Sequence, residues 1–168
     1  MPRLSRNAFV VAFLVVAGAG VLDTLYLTAV RIAGAPISCF LVTGCDEVTR
    51  SPYAEILGVP VAFLGLGYYL ALAILAALSL ETGSDRFLRL ALRATPVGIL
   101  ASLYFLAVQA FILKSFCTWC IISAVTSTLL FIIALAWHIE ERRGRAAEAA
   151  ESPQLAAESL QSTARETT

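Results

Sequence analysis

The stretch VPVAFLGLGYYLALAILAALSL, residues 59–80, decides the fold of this chain because it contains 22 residues and no charged side chain. A hydrocarbon layer about 30 Å thick is crossed by roughly 20 helical residues, since every backbone polar group must be bonded within the segment. Residues 59–80 are therefore predicted to form a membrane-spanning helix.

Three further runs have the same character: residues 8–30, interrupted only by Asp23, and the uncharged residues 94–113 and 116–137. The composition of the whole chain also indicates a membrane protein, with 59% hydrophobic residues, 14% charged residues and a mean hydropathy of +0.82. Its 12 basic and 12 acidic residues give a formal net charge of zero, which disfavours nucleic-acid binding. The sequence predicts an all-α membrane protein, a bundle of four transmembrane helices.

The distribution of lysine and arginine gives the orientation, because these residues are retained on the cytoplasmic side of a membrane. Numbering the sides alternately places nine on one side and three on the other. The nine are Arg3, Arg6, Arg86, Arg89, Arg93, Arg142, Arg143, Arg145 and Arg165, and the three are Arg31, Arg50 and Lys114. Both termini are thus predicted to be cytoplasmic, which puts the loop of residues 31–58 on the outer, periplasmic side. A cleaved signal peptide is disfavoured, because the first apolar run is longer than the apolar region of a signal peptide.

Two other segments have readable patterns. In SPYAEILG, residues 51–58, Ser51 is suited to an N-cap, Pro52 to the first helical position and Gly58 to a helix end, so the periplasmic loop is predicted to carry a short helix.

After Trp137 the composition becomes polar. Residues 139–168 lack an apolar face wide enough to bury and are predicted to form a partly disordered cytoplasmic tail, leaving residues 1–138 as the transmembrane domain.

All four cysteines are predicted to lie on the outer face. Cys39 and Cys45 are in the loop, and Cys117 and Cys120 open the last span in KSFCTWCIIS, residues 114–123. The outside of a bacterial plasma membrane and the lumen of the endoplasmic reticulum are compartments where disulfides persist. A thiol at a helix N-terminus has a lowered pKa, so Cys117 is the cysteine best placed to react.

Three interpretations of the cysteines remain open on the residues alone. Zinc is the least favoured, because the spacing is not that of a familiar zinc motif and no histidine is nearby. Two structural disulfides could clamp the loop onto the bundle. A redox-active dithiol is favoured over both, because a CxxC pair at a helix start favours thiol exchange.

The chain also resembles a known family. Cys39 and Cys45 six positions later, Ser51 six residues after Cys45, LDTLYLT near the end of the first span, and KSFCTWCIISA resemble the bacterial members of the vitamin K epoxide reductase family. The resemblance covers residues 8–137. It implies a quinone-dependent thiol–disulfide oxidoreductase of the bacterial plasma membrane.

The roles of the cysteines follow from that resemblance. It implies that Cys39 and Cys45 form the outward, exposed pair, which takes electrons from a separate periplasmic thioredoxin-fold protein of the DsbA kind. Cys45 then passes them to Cys117, and Cys120 meets a membrane quinone, either ubiquinone or menaquinone. The relay supports disulfide formation in exported proteins, and no metal takes part.

Six further residues are candidates for the quinone site. Ser51 is implied by the family pattern, and Asp23 is a carboxyl inside an apolar span, where a functional role is the default. Phe63, Gln109, Phe111 and Phe116 lie at a suitable depth by counting along the spans. The vertebrate pattern has a tyrosine four residues after the second CxxC cysteine, where this chain has Ala124, which disfavours vitamin K epoxide as substrate.

Two other functions remain as alternatives. A DsbB-type oxidase also has four spans and two cysteine pairs, but its CxxC lies in the first outer loop. A non-enzymatic membrane scaffold with two structural disulfides is the alternative from another class.

Overall fold

The computed structural model describes residues 3–39 and 44–166. Helix α1 (Arg3–Ala33) is followed by the short helix α2 (Cys45–Thr49) and a single 3₁₀ turn (Pro52–Ala54). Strands β1 (Glu55–Ile56) and β2 (Val59–Pro60) then form an antiparallel hairpin. The chain continues with α3 (Val61–Thr82), α4 (Asp85–Ala107), a π-helical segment (Val108–Leu113) and α5 (Thr118–Glu166).

Within the described residues, four helices are long and apolar enough to cross a membrane, which confirms the predicted four-helix bundle. Helix α1 packs against α3 and α5, and α4 packs against the same two helices, so the four form a closed ring. Many large apolar side chains point away from this ring and are exposed, as lipid-facing residues are. We call the end of the bundle where α1 ends and α5 begins the cysteine end, and the other the opposite end.

The main apolar core fills the middle of the bundle and the opposite end. Its buried members include Phe13, Leu72, Leu88, Leu130 and Trp137. Phe9 meets Trp137 edge to face, with ring centroids 5.8 Å apart. Two ion pairs join the helices at the opposite end, Arg6 with Asp85 at 3.0 Å and Arg89 with Glu141 at 3.7 Å.

Pro96 lies inside α4 and has no N–H to donate to the carbonyl of Leu92. The hydroxyl of Thr95 donates to that carbonyl instead, at 2.8 Å. The helix therefore passes through the proline and reaches the cysteine end.

Several predicted boundaries differ from those observed. The short helix predicted after Ser51 is a 3₁₀ turn followed by the hairpin, because Leu57 and Gly58 both have positive φ angles and reverse the chain. The loop does contain a short helix, but this helix is α2, which ends before Ser51. Helix α4 begins nine residues before the predicted span of residues 94–113, and Ser84 accepts a hydrogen bond from the Arg86 N–H at its start.

The last helix also differs in length from the predicted span of residues 116–137. It begins at Thr118 and continues to Glu166. The part of the tail that the structure describes is thus a helical continuation of the last span. Its separation from the transmembrane domain as a distinct unit stays a prediction.

Candidate functional site

Cys39 and Cys45 form a disulfide, with their Cα atoms 6.1 Å apart. Cys45 is the first residue of α2 and is buried, whereas Cys39 is partly exposed. Of the pair expected to be exposed, Cys39 is thus partly exposed and Cys45 is not, while the outward orientation of the pair stays a prediction. The sulfur of Cys45 lies toward the protein interior.

Cys117 and Cys120 are free thiols. The carbonyl of Cys117 accepts the N–H of Ile121 at 3.0 Å, and its sulfur accepts the N–H of Cys120 at 3.4 Å. Cys117 thus occupies the N-cap position of α5, and its side chain bonds an N–H group that the helix cannot satisfy itself. Cys117, the cysteine expected from the sequence to be best placed to react, is therefore the N-cap residue of α5.

The thiol of Cys117, which precedes the spanning helix, is held by several hydrogen bonds. The side chain of Cys120 and the N–H groups of Cys120 and Trp119 lower the pKa of Cys117, against the opposing effect of its burial. Because the thiolate is the nucleophile in disulfide exchange, this arrangement favours attack by or at Cys117.

The loop is docked tightly onto the start of α5. A Cβ added at Gly44 would lie 2.9 Å from the carbonyl oxygen of Phe116, so only glycine allows this approach. Glu47 accepts a hydrogen bond from the hydroxyl of Ser115 at 2.6 Å, and the indole N–H of Trp119 donates to the carbonyl of Ser38 at 3.1 Å. These contacts bring all four cysteines into one packed cluster.

A cavity of about 300 Å³ opens beside this cluster. It is lined mainly by apolar side chains of α3, α4, α5 and the loop, and Cys120 is on its wall. The polar side chains that line it include Ser51, Tyr69, Gln109, Ser123 and Ser127. A mainly apolar cavity with a few polar groups has the character of a small-molecule binding site.

The sequence of this chain matches the model of a known protein family. The model is that of the vitamin K epoxide reductase family, and it matches residues 11–135, which include the four cysteines. The chain belongs to the vitamin K epoxide reductase family. Membership confirms the resemblance predicted from the sequence and, with the four apolar helices, makes the chain a multi-pass membrane protein.

A curated relative agrees with the family match. The chain is 33% identical over 127 residues to the thiol-disulfide oxidoreductase LTO1 of Arabidopsis thaliana, an alignment that covers 68% of this chain. It covers 32% of the relative, so the chain corresponds to about a third of that protein's length.

Two of the six residues predicted for the quinone site line the cavity. Ser51 does so, although its hydroxyl donates to the carbonyl of Val48 at 2.8 Å. Gln109 is buried in the π-helical segment, and its side-chain oxygen accepts the N–H of Cys117 at 2.8 Å. Gln109 therefore connects the cavity wall with the cap of α5.

Three of the predicted residues lie away from the cavity wall. Phe63 is 39% exposed, Phe116 is 44% exposed and Phe111 is 80% exposed, and none lines the cavity. Counting along a span gives the depth of a residue but not the side of the helix on which it lies. The depth estimate was therefore insufficient for these three phenylalanines.

Asp23 is buried behind the cavity rather than on its wall. Neither carboxyl oxygen makes a hydrogen bond within the described residues.

Sequence reasoning missed Tyr69. Its hydroxyl lies 2.7 Å from that of Ser127 and donates to the carbonyl of Ser123 at 2.8 Å. In an apolar run, adjacent tyrosines look like ordinary packing residues. The available signal was that a buried tyrosine hydroxyl needs a partner, and that the last span contains hydroxyl residues, among them Ser123 and Ser127.

Proposed function

We propose that this chain is a membrane thiol–disulfide oxidoreductase that transfers electron pairs from a reduced thioredoxin-fold protein to a membrane quinone. The observation that carries the proposal is the single cluster of a disulfide, Cys39–Cys45, and a dithiol, Cys117 and Cys120, beside an apolar cavity. Free thiols at Cys117 and Cys120 do not favour the alternative of two structural disulfides.

The first exchange takes place at Cys39, which is the more exposed sulfur of the pair. A thiolate of the reduced partner attacks Cys39, and Cys45 leaves as a thiolate. The second thiol of the partner then displaces Cys39, so the partner gains a disulfide and the loop gains two thiols. The partner is a separate DsbA-like protein with a thioredoxin fold.

The second exchange moves the same two electrons inward. The Cys45 thiolate attacks Cys117 of a Cys117–Cys120 disulfide, and Cys120 leaves as a thiolate. Cys39 then attacks Cys45, which restores the loop disulfide and releases Cys117. The described state, an oxidised loop and a reduced Cys117–Cys120 pair, corresponds to the end of this step.

The cavity fits a quinone head group in size and character. Its volume of about 300 Å³ is at the lower end of the range of small-molecule sites, and its walls are mainly apolar. A bound ubiquinone or menaquinone would supply an acceptor for two electrons and two protons. Cys120 and Gln109 border the space, and Ser51 borders it from the loop.

The orientation completes the proposal. Nine basic residues against three support cytoplasmic termini and tail, with the cysteine end on the outer side of a bacterial plasma membrane. There the Cys39–Cys45 disulfide is in an oxidising compartment and can serve exported proteins.

The test uses the full chain in vesicles that contain menaquinone or ubiquinone, with a reduced DsbA-type protein as electron donor. Cys117→Ala and Cys120→Ala should each abolish quinone reduction. Quinone reduction that survives either change would contradict the proposal. Maleimide trapping gives a second measurement, because the relay predicts thiol states that shift when quinone is depleted, whereas a scaffold would keep its disulfides.

A further inference from the structure

We propose that Trp119, which lies between the two cysteines of the CxxC pair, is a positioning residue that keeps Cys39 beside Cys45 after the loop disulfide has opened. This inference rests on the proposed relay and concerns its last internal step, in which Cys39 must return to Cys45. Trp119 acts by placing Cys39 and does not itself react.

The two cysteines of the loop are attached to the bundle in different ways. Cys45 begins helix α2, which is docked at the start of α5, where Gly44 approaches the backbone of Phe116. Cys39 belongs to residues 35–39, which the structure describes without helix or strand. The closed disulfide holds the two Cα atoms 6.1 Å apart. Once that bond is reduced, the place of Cys39 depends on the noncovalent contacts of its own segment.

Trp119 holds the residue that directly precedes Cys39. Its indole N–H donates to the carbonyl of Ser38 at 3.1 Å. Trp119 and Ile37 also pack against the same cluster of buried residues as Cys39 does. Because Trp119 belongs to the first turn of α5, these contacts attach the segment of Cys39 to that helix independently of the disulfide.

The position of Trp119 is supported in turn by helix α1. The ring of Tyr26 lies against the indole ring, with the centroids 4.4 Å apart and an angle of 36° between the ring planes. Contacting aromatic rings stabilise each other beyond the effect of the area that they bury. The contact with Tyr26 therefore helps to keep the indole N–H directed at the carbonyl of Ser38.

The step that depends on this arrangement is a thiol–disulfide exchange. In the proposed relay Cys45 is joined to Cys117 by a mixed disulfide, and the thiolate of Cys39 attacks Cys45. The Cys39–Cys45 bond forms, the Cys45–Cys117 bond breaks, and Cys117 leaves with the electron pair as a thiolate. The proton of Cys39 goes to solvent before the attack, so the step needs no further reactant. Holding the attacking group close to its target raises the rate of such a step.

The first test follows the mixed disulfide during turnover. Full-length protein in vesicles that contain quinone receives a reduced DsbA-type donor, the reaction is quenched with acid, and peptide mass spectrometry quantifies the Cys45–Cys117 disulfide. Trp119→Phe removes the N–H but keeps an aromatic ring, so the share of protein in the mixed disulfide should rise about fivefold. Trp137→Phe is the matched control and should leave this share unchanged, because the Trp137 N–H has no hydrogen-bond partner among the described residues.

The second test needs neither quinone nor a protein donor. The loop pair is equilibrated with a glutathione buffer, and its redox state is read by alkylation and mass spectrometry. In Trp119→Phe the equilibrium constant for disulfide formation should fall about fivefold, which equals a shift of about 20 mV toward a more oxidising potential. Tyr26→Leu should shift the potential in the same direction and serves as the second variant if Trp119→Phe does not fold. Tyr26→Phe keeps the ring and should match the wild type.

The outcomes separate this inference from the proposed function. Wild-type protein that reduces no quinone contradicts the proposed function, and the glutathione equilibrium then still tests the role of Trp119. An unchanged share of the mixed disulfide in an active Trp119→Phe variant contradicts the inference, and so does an unchanged potential of the loop pair. Equal shifts in Trp119→Phe and Trp137→Phe also contradict it, because the effect would then be that of a weakened fold.

Discussion

The opposite end of the bundle is filled by apolar side chains such as Phe13, Leu88 and Trp137, and the polar contacts between helices there include ion pairs of at least partly exposed side chains. At the cysteine end, the buried polar groups include thiols, an amide, hydroxyls and a carboxyl that has no hydrogen-bond partner among the described residues. The backbone differs as well, with a π-helical segment at residues 108–113 and a left-handed Lys114.

The contrast indicates that the opposite end mainly stabilises the fold, whereas the cysteine end holds the reactive groups. Apolar packing at the opposite end follows local rules and needs few hydrogen bonds beyond those of the helices. The cysteine end departs from those rules at several adjacent residues, and such departures collect at functional sites. Substitutions at the two ends should therefore change different measurements.

The largest effect is expected for Cys45→Ser. Removing this sulfur leaves Cys39 without a disulfide partner and interrupts the proposed route to Cys117, so electron transfer from a reduced DsbA-type donor should fall about a thousandfold or more. Stopped-flow measurement of donor oxidation checks this. The protein should still fold and insert, and normal transfer by this variant would show that the loop pair is not on the route.

Leu130→Ala is the matching change in the main core. Leu130 is fully buried, so the cavity left behind should lower the free energy of unfolding by about 2–5 kcal/mol. Unfolding in detergent, followed by circular dichroism, measures this loss. Electron transfer per folded molecule should not change, and a loss of transfer comparable to that of Cys45→Ser would erase the contrast between the two ends.

Gln109→Leu tests a buried hydrogen bond at the cysteine end. It leaves the N–H of Cys117 without its partner, which should cost about 1–3 kcal/mol. Arg89→Gln is the control at the opposite end, where loss of a partly exposed ion pair should cost about 0–1 kcal/mol. Equal losses in unfolding free energy for the two variants would argue against a special role for Gln109.

The smallest effect is expected for Gly44→Ala. The added methyl group would collide with the backbone of Phe116 and lift α2 from the start of α5, so transfer between Cys45 and Cys117 should slow about tenfold, equivalent to roughly 1.4 kcal/mol in the barrier. Rapid-quench trapping of the thiols measures this step. Gly67→Ala is the control, because no described atom outside its chain neighbours and the nearby backbone of its own helix lies within 4 Å of the added Cβ. The same rate in both variants would show that the close approach at Gly44 is not needed.

The sequence predicts the four spans and the gathering of the cysteines because both depend on residue type and position along the chain. It does not predict the hairpin at residues 55–60, which depends on positive φ angles at Leu57 and Gly58. Nor does it give the side of the helix on which Phe63 or Phe111 lies, because helices that are apolar all round carry no marked face. Tyr69 was missed for the same reason.

The N-cap position of Cys117 makes the backbone of α5 sensitive to the state of its sulfur. The N–H of Cys120 is held by that sulfur, and a thiolate, a thiol and a disulfide differ in how well they accept a hydrogen bond. The amide resonance of Cys120 should therefore shift each time the sulfur changes state. A single ¹⁵N label at Cys120 would report the redox state of the protein without an added probe.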